Sequence, residues 1–457
     1  MVTFPGFESA IKKTYDYNQE HVFKFWNDLN DSEKKTLLNE LASIDFEQLK
    51  KIYSQKEISL PTDFKPAPYI ALPSTEKELK LYDEARKAGI EHISNNKVCA
   101  FIVAGGQGSR LGYSGPKGKF PVGPVSNKTL FQIHGEKILK YFRKYNASIP
   151  WLVMTSDVNH TETAEYFEEM KYFGLSKKDV LIFSQEMIPS LDINGKLILS
   201  SKCTLFKNPD GHGGSLTILK KSGALDEIRK RGIETISYFQ VDNPLVKIID
   251  PVFIGFHVLN GAEISSKSLS KSSAAEKVGV FIEYPDKKLG VIEYSDLPKE
   301  KAELTDESGK LKFISGSIAI HLFSTEFIEK ITSGDEIALP FHTAKKKISS
   351  YTADGNKEID GLKFEKFVFD ALPLTDKNNI FETIREDEFA PVKNATGEDS
   401  VQSSQMLMNN LYRKWLISKG VKIPDTVQVL ELTADTAVEA EDIDSGLVLP
   451  DKKEVLI

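Results

Sequence analysis

The chain has 457 residues, 40% hydrophobic and 27% charged, which leaves room for two or three domains around a large core. A formal net charge of −7 and a pI near 5.8 exclude the clustered basic excess of a nucleic-acid groove, so any polyphosphate site has to be a local island of Lys and Arg. The only cysteines, Cys99 and Cys203, are too few for a disulfide framework, and no apolar run approaches the roughly 20 residues of a membrane span.

The opening M-V-T-F-P-G-F-E-S-A-I-K-K lacks a basic stretch followed by an apolar core, and the closing D-K-K-E-V-L-I carries no lipidation signal, so a cytoplasmic location is expected. Residues 8 to 58 are polar and helical in period. Val22, Phe23, Phe25, Trp26 and Leu29 recur at three and four, as do Leu37, Leu38, Leu41 and Ile44, with Asp31 or Ser32 as cap of the second helix. Pro61, Pro66, Pro68 and Pro73 make the next stretch a stiff linker. Thr75 and Glu78 then form a capping box for a helix to about Gly89. Residues 1–95 are read as a helical N-terminal region, 96–390 as a central domain and 391–457 as a small C-terminal domain.

The run 98–104, V-C-A-F-I-V-A, reads as a buried parallel strand that breaks into A-G-G-Q-G-S-R-L-G-Y-S-G-P-K-G-K. Glycines let a backbone approach polyphosphate closely, and Arg110 and Lys117 supply the charge to neutralise it. The commoner phosphate loops do not fit. Leu111 stands where G-x-G-x-x-G needs its third glycine, and Gly118-Lys119 is followed by Phe120 where a P-loop needs Ser or Thr.

Strands at Trp151–Met154 and Thr235–Phe239 alternate with helical patterns over Lys128–Tyr145, Glu162–Phe173 and Leu216–Arg231. That alternation predicts an α/β fold, a doubly wound sheet with its sites at the strands' carboxyl ends. V-G-V-F-I-E-Y and G-V-I-E-Y after Val278 add shorter strands and make the sheet mixed. S-S-K-S-L-S-K-S-S at 265–273 reads as a mobile surface loop. A helix over Gln402–Lys419 leads to short strands such as Val427–Leu432.

Val241-Asp242-Asn243 closes one of these strands. An Asp-Asn pair can cap a turn, but beside a phosphate loop the carboxylate suits Mg²⁺ held with substrate phosphates. N-P-D-G-H-G-G, 208–214, is a tight turn whose backbone can lie flat against a base; Gln185 can offer its amide to a uracil edge, though a single Gln is more often a surface residue. Lys363 and Lys366 flank Phe364, and Lys393 follows R-E-D-E-F-A-P-V, where R-E-D-E by itself reads as a solvated face. No G-x-S-x-G, C-x-x-C or H-E-x-x-H occurs, and the eight histidines are scattered, so zinc and Ser or Cys nucleophiles have no support.

A-G-G-Q-G-S-R-L-G with P-K-G, then K-T-L-F-Q-I, M-T-S, K-Y-F-G-L, P-D-G-x-G-G, V-D-N-x-L-V-K, D-P-x-F-I-G-F, V-I-E-Y-S, E-K-F-V-F-D and R-E-D-E-F-x-P-x-K-N-A follow one another in the order found in eukaryotic-type UDP-N-acetylglucosamine pyrophosphorylases. The resemblance spans about 8 to 420. It implies a nucleotide-diphosphosugar transferase fold, Mg²⁺ as cofactor, and UTP and N-acetylglucosamine 1-phosphate as substrates, with no nucleic-acid or membrane partner. By position it places Ala104, Gly105 and Gly106 against the nucleotide and Arg110 and Lys117 on its phosphates. Gln185 and Gly211 take the uracil, Asp242 the metal, and Lys363 a nucleotide phosphate. His212, Gly279, Glu293, Tyr294, Ser317 and Lys393 face the sugar phosphate. Two positions depart from the family pattern, His212 in P-D-G-H-G-G and Ser317 in S-G-S-I-A, each where the family usually carries Asn. A broader UDP-sugar pyrophosphorylase, or a nucleotide-sugar binding protein without turnover, are the alternative expectations. Oligomeric state is left open by the sequence.

Overall fold

The computed structural model describes residues 1–54, 63–334 and 339–457; the last residues of the predicted helical stretch, 55–58, and the first proline of the linker lie outside them. Contacts group the chain into two compact units. One comprises Met1–Leu60, Gln185–Gly214 and Leu339–Val368; the other comprises Pro61–Ser184, Ser215–Ala338 and Phe369–Ile457. This grouping runs across the sequence segmentation at 95 and 390.

In the smaller unit the helices Glu8–Asp16, Asp31–Ala42 and Phe46–Ser54 bury Ile11, Leu37, Leu38, Leu41 and Leu49 with Leu191, Leu199, Leu362 and Phe364. The last two belong to a long antiparallel hairpin, His342–Thr352 with Gly355–Glu365, which also pairs with Leu191–Asp192. The second helix is capped by Asn30, not by Asp31 or Ser32: Asn30 accepts from the Glu33 amide while Glu33 returns to the Asn30 amide.

The larger unit is built on a ten-stranded mixed sheet. At its centre Val98–Val103 pairs in parallel with Trp151–Thr155 on one side and Thr235–Gln240 on the other, and Val180–Ser184 extends the first side. Strand order therefore reverses beside Val98–Val103, the place where a doubly wound sheet opens a crevice at its carboxyl edge. Ser315–Ser324 runs antiparallel to both Thr235–Gln240 and Ile264–Ser270, and Asn378–Glu382 adds in parallel to the latter. The ends of all these parallel-running strands consequently share one edge.

The polar run at 265–273 is not a mobile loop. Its first part is the buried strand Ile264–Ser270, in the interior of the sheet. Its hydroxyls are spent inside the protein: Ser265 with His257 Nδ1 at 2.8 Å, Ser266 with His321 Nδ1 at 2.8 Å. Small hydroxyl side chains pack like alanine once paired, so low hydrophobicity disguised a core strand. The predicted helix 216–231 is two, Gly214–Lys221 and Ala224–Lys230, broken at Gly223, where φ is +78°.

The helix capped by Thr75 and Glu78 runs to Ser94, past the predicted end at Gly89. Gly89 lies inside it because the helix Pro251–Leu259 crosses there. A methyl on Gly89 would land on the Pro251 carbonyl, and one on Gly255 on the Ala85 carbonyl. Gly255→Ala is expected to destabilise the protein by about 3 kcal/mol, since two backbones have to separate to admit one methyl. Thermal unfolding checks it: a melting temperature unchanged from the parent would show that the crossing relaxes freely.

Candidate active site

Val103 leads into the glycine-rich loop, whose path is set by side chains from the neighbouring strand end. Ser156 Oγ donates to Gly105 O at 2.8 Å, and the fully buried Asn159 donates through Nδ2 to Ala104 O at 3.0 Å and Gly106 O at 3.2 Å. With three carbonyls tied back, the amides of Gly105, Gly106 and Gln107 donate to no protein acceptor among the described residues. A run of such amides is a nest for an anion. Neither Asn159 nor Ser156 was singled out from sequence; a polar residue just past a strand, M-T-S-D-V-N, was the only available signal.

The loop then folds back on itself. Gly108 N–H reaches Gly115 O and Lys117 N–H reaches Gly106 O, both at 3.0 Å. This return brings Lys117 to the adjacent strand end, where its Nζ lies 3.1 Å from Asp242 Oδ2 with both side chains largely buried. Arg110 stands on the outer side of the same loop, exposed, with no ion pair among the described residues. The strand-reversal point thus carries an amide nest, two cations and one carboxylate.

Asp242 and Asn243 divide the roles that were open in the sequence. Asn243 is structural: Nδ2 donates to Glu388 O at 2.7 Å, and Oδ1 accepts from Ala390 N–H at 3.0 Å. Asp242 keeps its carboxylate at the edge, with Oδ1 taking no hydrogen bond among the described residues. A single hard oxygen donor beside a phosphate loop fits Mg²⁺, which usually takes one or two carboxylates and fills its remaining positions from phosphates and water. No group of three or more His, Cys, Asp or Glu among the described residues forms a complete protein cage.

Further along this edge Gly279, Glu293 and Ser317 come together. Ser317 N–H donates to Gly279 O at 2.8 Å, and a Cβ on Gly279 would stand 3.6 Å from Glu293 Oε1. Tyr294 is exposed beside them. Just beyond Ser317 the strand bulges, with Ala319 at φ +55° and a register shift before His321. Such a kink re-aims side chains at a sheet end and stores strain that the surrounding pairing has to hold. Lys393 Nζ sits 3.3 Å from Asp399 Oδ2.

The R-E-D-E segment is not a solvated face. Glu388 is fully buried, with Oε1 2.5 Å from the equally buried Lys267 and Oε2 accepting from Thr383 Oγ1 at 2.7 Å. Charge in a sequence is read as exposure by default, and a partner 121 positions away leaves no local sign.

The smaller unit holds the remaining candidates. Gln185 is buried, its Nε2 3.4 Å from Asp210 Oδ1, and Lys366, also buried, donates its amide to Asp210 O at 2.7 Å. Gly211, at φ +84°, lies against the Lys366 backbone, where any side chain would collide. His212 accepts from Val368 N–H through Nδ1 at 3.2 Å, and its ring packs tilted by 31° against Phe367. Loss of solvation, with His342 adding repulsion, pushes its pKa down to about 4. Neutral and accepting at Nδ1, the ring carries its proton on Nε2. Lys363 lies over the Phe206 ring at 5.6 Å. Asp210 and Lys366, whose packing shapes this turn, were not assigned roles from sequence.

A strand-reversal loop with unengaged amides, flanked by paired Lys and Asp, is the arrangement of an α/β protein suited to a nucleotide's phosphates. The model of the UTP–glucose-1-phosphate uridylyltransferase family matches residues 45–433, and the chain belongs to that family. It is 35% identical over 432 residues to UDP-N-acetylglucosamine diphosphorylase 2 of Arabidopsis thaliana, with 90% of this chain and 85% of that one covered. It is 34% identical over 437 residues to UDP-N-acetylglucosamine pyrophosphorylase of Saccharomyces cerevisiae, covering 90% and 91%. The crystal structure of the uridine diphosphate N-acetylglucosamine pyrophosphorylase from Trypanosoma brucei, in complex with an inhibitor, superposes with a TM-score of 0.85 at 26% identity, over 97% of this chain and 95% of that one. Among the described residues no helix is long and apolar enough to cross a membrane.

Proposed function

We propose that the chain forms UDP-N-acetylglucosamine and pyrophosphate from UTP and N-acetylglucosamine 1-phosphate. The observation that carries this is the Lys117–Asp242 pair at the strand reversal, beside a loop whose carbonyls are tied away and whose amides donate to no protein acceptor among the described residues. An oxygen of the sugar phosphate attacks the α-phosphorus of UTP. The new O–P bond forms as the bond to the bridging oxygen breaks, and pyrophosphate leaves with that electron pair. The second ionisation of a phosphate monoester lies near pH 6, so the nucleophile is already charged at neutral pH and no general base is required.

The protein's task is to hold two polyanions in line and offset their repulsion. Lys117 and Arg110 do so on the UTP side, with the amides of Gly105 and Gly106 and the loop start at Ala104. Asp242 is the residue that would hold Mg²⁺, which supplies further neutralisation of the phosphates when bound. His212, Gly279, Glu293, Tyr294, Ser317 and Lys393 are assigned to the sugar phosphate, and Gln185, Gly211 and Lys363 to the nucleotide. Both sets rest on the resemblance. The reverse reaction tests the proposal: labelled pyrophosphate and UDP-N-acetylglucosamine should yield labelled UTP, and absence of label in UTP would sink it.

Ser317 bears on which sugar is preferred. Its backbone amide is spent on Gly279 O, so only a hydroxyl is left where the family pattern implied by the resemblance carries Asn. Strong rejection of an analogue comes from leaving a buried polar partner unpaired, and a shorter side chain has less to leave unpaired. N-acetylglucosamine 1-phosphate is expected to be the best substrate, with weak discrimination against N-acetylgalactosamine and glucose 1-phosphates. Ser317→Asn should change the kcat/KM ratios among these sugars while KM for UTP stays put. Identical ratios in both forms would show that position 317 does not read the sugar.

A further inference from the structure

Two segments at the carboxyl edge of the sheet carry separate assignments in the reading above, and one side chain joins them. The turn 241–243 presents Asp242; the segment 388–393 ends in Lys393. Between them runs a short ladder: Asn243 Nδ2 to Glu388 O at 2.7 Å, Ala390 N–H to Asn243 Oδ1 at 3.0 Å, and Val392 N–H to Asp242 O at 2.9 Å. Asn243 Oδ1 also accepts from Leu245 N–H at 3.3 Å, which holds the chain leaving the turn. Asn243 is therefore buried with its Oδ1 doubly engaged and its Nδ2 bonded, one residue from the carboxylate and within a few residues of the lysine.

The far end of the ladder is mounted rigidly. Glu388 pairs with Lys267 at 2.5 Å, Lys267 with Asp250 at 2.7 Å, and Asp250 caps the helix Pro251–Leu259 through the amides of Val252 and Phe253. Glu388 Oε1 also accepts from Lys247 N–H at 3.2 Å. A buried charge set with its hydrogen bonds satisfied resists displacement, because moving one member strands the others without partners. The backbone at 388–392 is thus clamped from one side by a buried ion network and from the other by the Asn243 amide.

We propose that Asn243 is a positioning residue for nucleotidyl transfer, which fixes Lys393 relative to Asp242, with the Glu388–Lys267–Asp250 set as its mount. The proposal rests on the assignment of Asp242 and Lys393 to the reacting phosphates. The two groups serve opposite ends of the displacement, one at the nucleotide phosphates and one at the incoming sugar phosphate. Their separation is therefore the quantity that in-line geometry demands. Asn243 touches neither ligand in this arrangement and acts only through the two backbones it joins.

A four-protein cycle tests it in the full chain: parent, Asn243→Ala, Lys393→Ala and the double variant. The readouts are kcat and KM for UTP and for N-acetylglucosamine 1-phosphate, well below each melting temperature. Displacing a positioned group by about 1 Å costs on the order of 10²-fold, so Asn243→Ala should lower kcat roughly 10- to 100-fold while KM for UTP moves less than about threefold. Lys393→Ala should cost tenfold or more in the parent yet less than about threefold once Asn243 is gone, since coupled residues are non-additive. Should Asn243→Ala fail to fold, Asn243→Ser, which keeps one hydrogen-bonding oxygen, carries the same cycle with a smaller loss and the same non-additivity. Additive losses, a kcat within about twofold of the parent for the folded variant, or a silent Lys393→Ala would each overturn the proposal. A parent without nucleotidyl transfer would instead sink the underlying reading of the site.

Discussion

Lys117→Ala is expected to lower kcat about 10²–10³-fold, the usual loss when one preorganised charged group is removed from the place where charge develops. The Lys117 ammonium has a fixed location: the loop's return bond from its own amide to Gly106 O delivers it to the strand end, 3.1 Å from Asp242. Arg110→Ala should fall in the same range, but for a different reason. That side chain is exposed and unengaged by protein partners among the described residues, so its removal disturbs nothing except the ligand it meets. The two variants should differ in stability. Arg110→Ala should melt with the parent, whereas Lys117→Ala leaves a largely buried carboxylate without its counter-ion and should melt lower. Steady-state rates with thermal melts on the same preparations check both parts, and near-parental kcat in either variant would remove that residue from the machinery.

Asp242→Asn is the second large expected effect. The substitution keeps shape and removes charge, so the backbone bond from Val392 to Asp242 O survives and the fold should too. Activity should fall by about 10²-fold or more at ordinary Mg²⁺, and the Mg²⁺ concentration for half-maximal rate should rise, because the hard anionic ligand has been exchanged for a neutral amide. A Mg²⁺ titration separates this from a general loss of structure. If the variant's Mg²⁺ dependence overlays the parent's, Asp242 serves only as the partner of Lys117.

Much of the larger unit was legible in the chain because its signals are local. The apolar run ending at Val103 and its break into glycines located the strand reversal, and Thr75 with Glu78 located a helix start to the residue. What escaped was whatever depends on distant partners. Ile264–Ser270 looked like a polar loop because its serines and Lys267 are satisfied by His257, His321, Asp250 and Glu388, all on other elements and two of them 55 and 121 positions away. Glu388 looked solvated for the same reason. The helix that continues through Gly89 was cut short because glycine ordinarily disfavours helix, and only the crossing with Pro251–Leu259 shows why it is needed there. In the site itself, the residues proposed to meet the ligands by charge, Arg110, Lys117 and Asp242, stood out. Those that hold the loop in shape, Ser156 and Asn159, and the one that ties down the turn of Asp242, Asn243, are common polar residues whose role appears only with the backbone they bind.

The most direct test of the account is pyrophosphate release by the full chain with UTP, Mg²⁺ and a panel of sugar 1-phosphates, run alongside a control without sugar phosphate. The account predicts release that requires the sugar phosphate, is fastest with N-acetylglucosamine 1-phosphate, and matches UDP-N-acetylglucosamine formed mole for mole. Release that proceeds equally well without any sugar phosphate would mean that water is the acceptor at the α-phosphorus, and would contradict it.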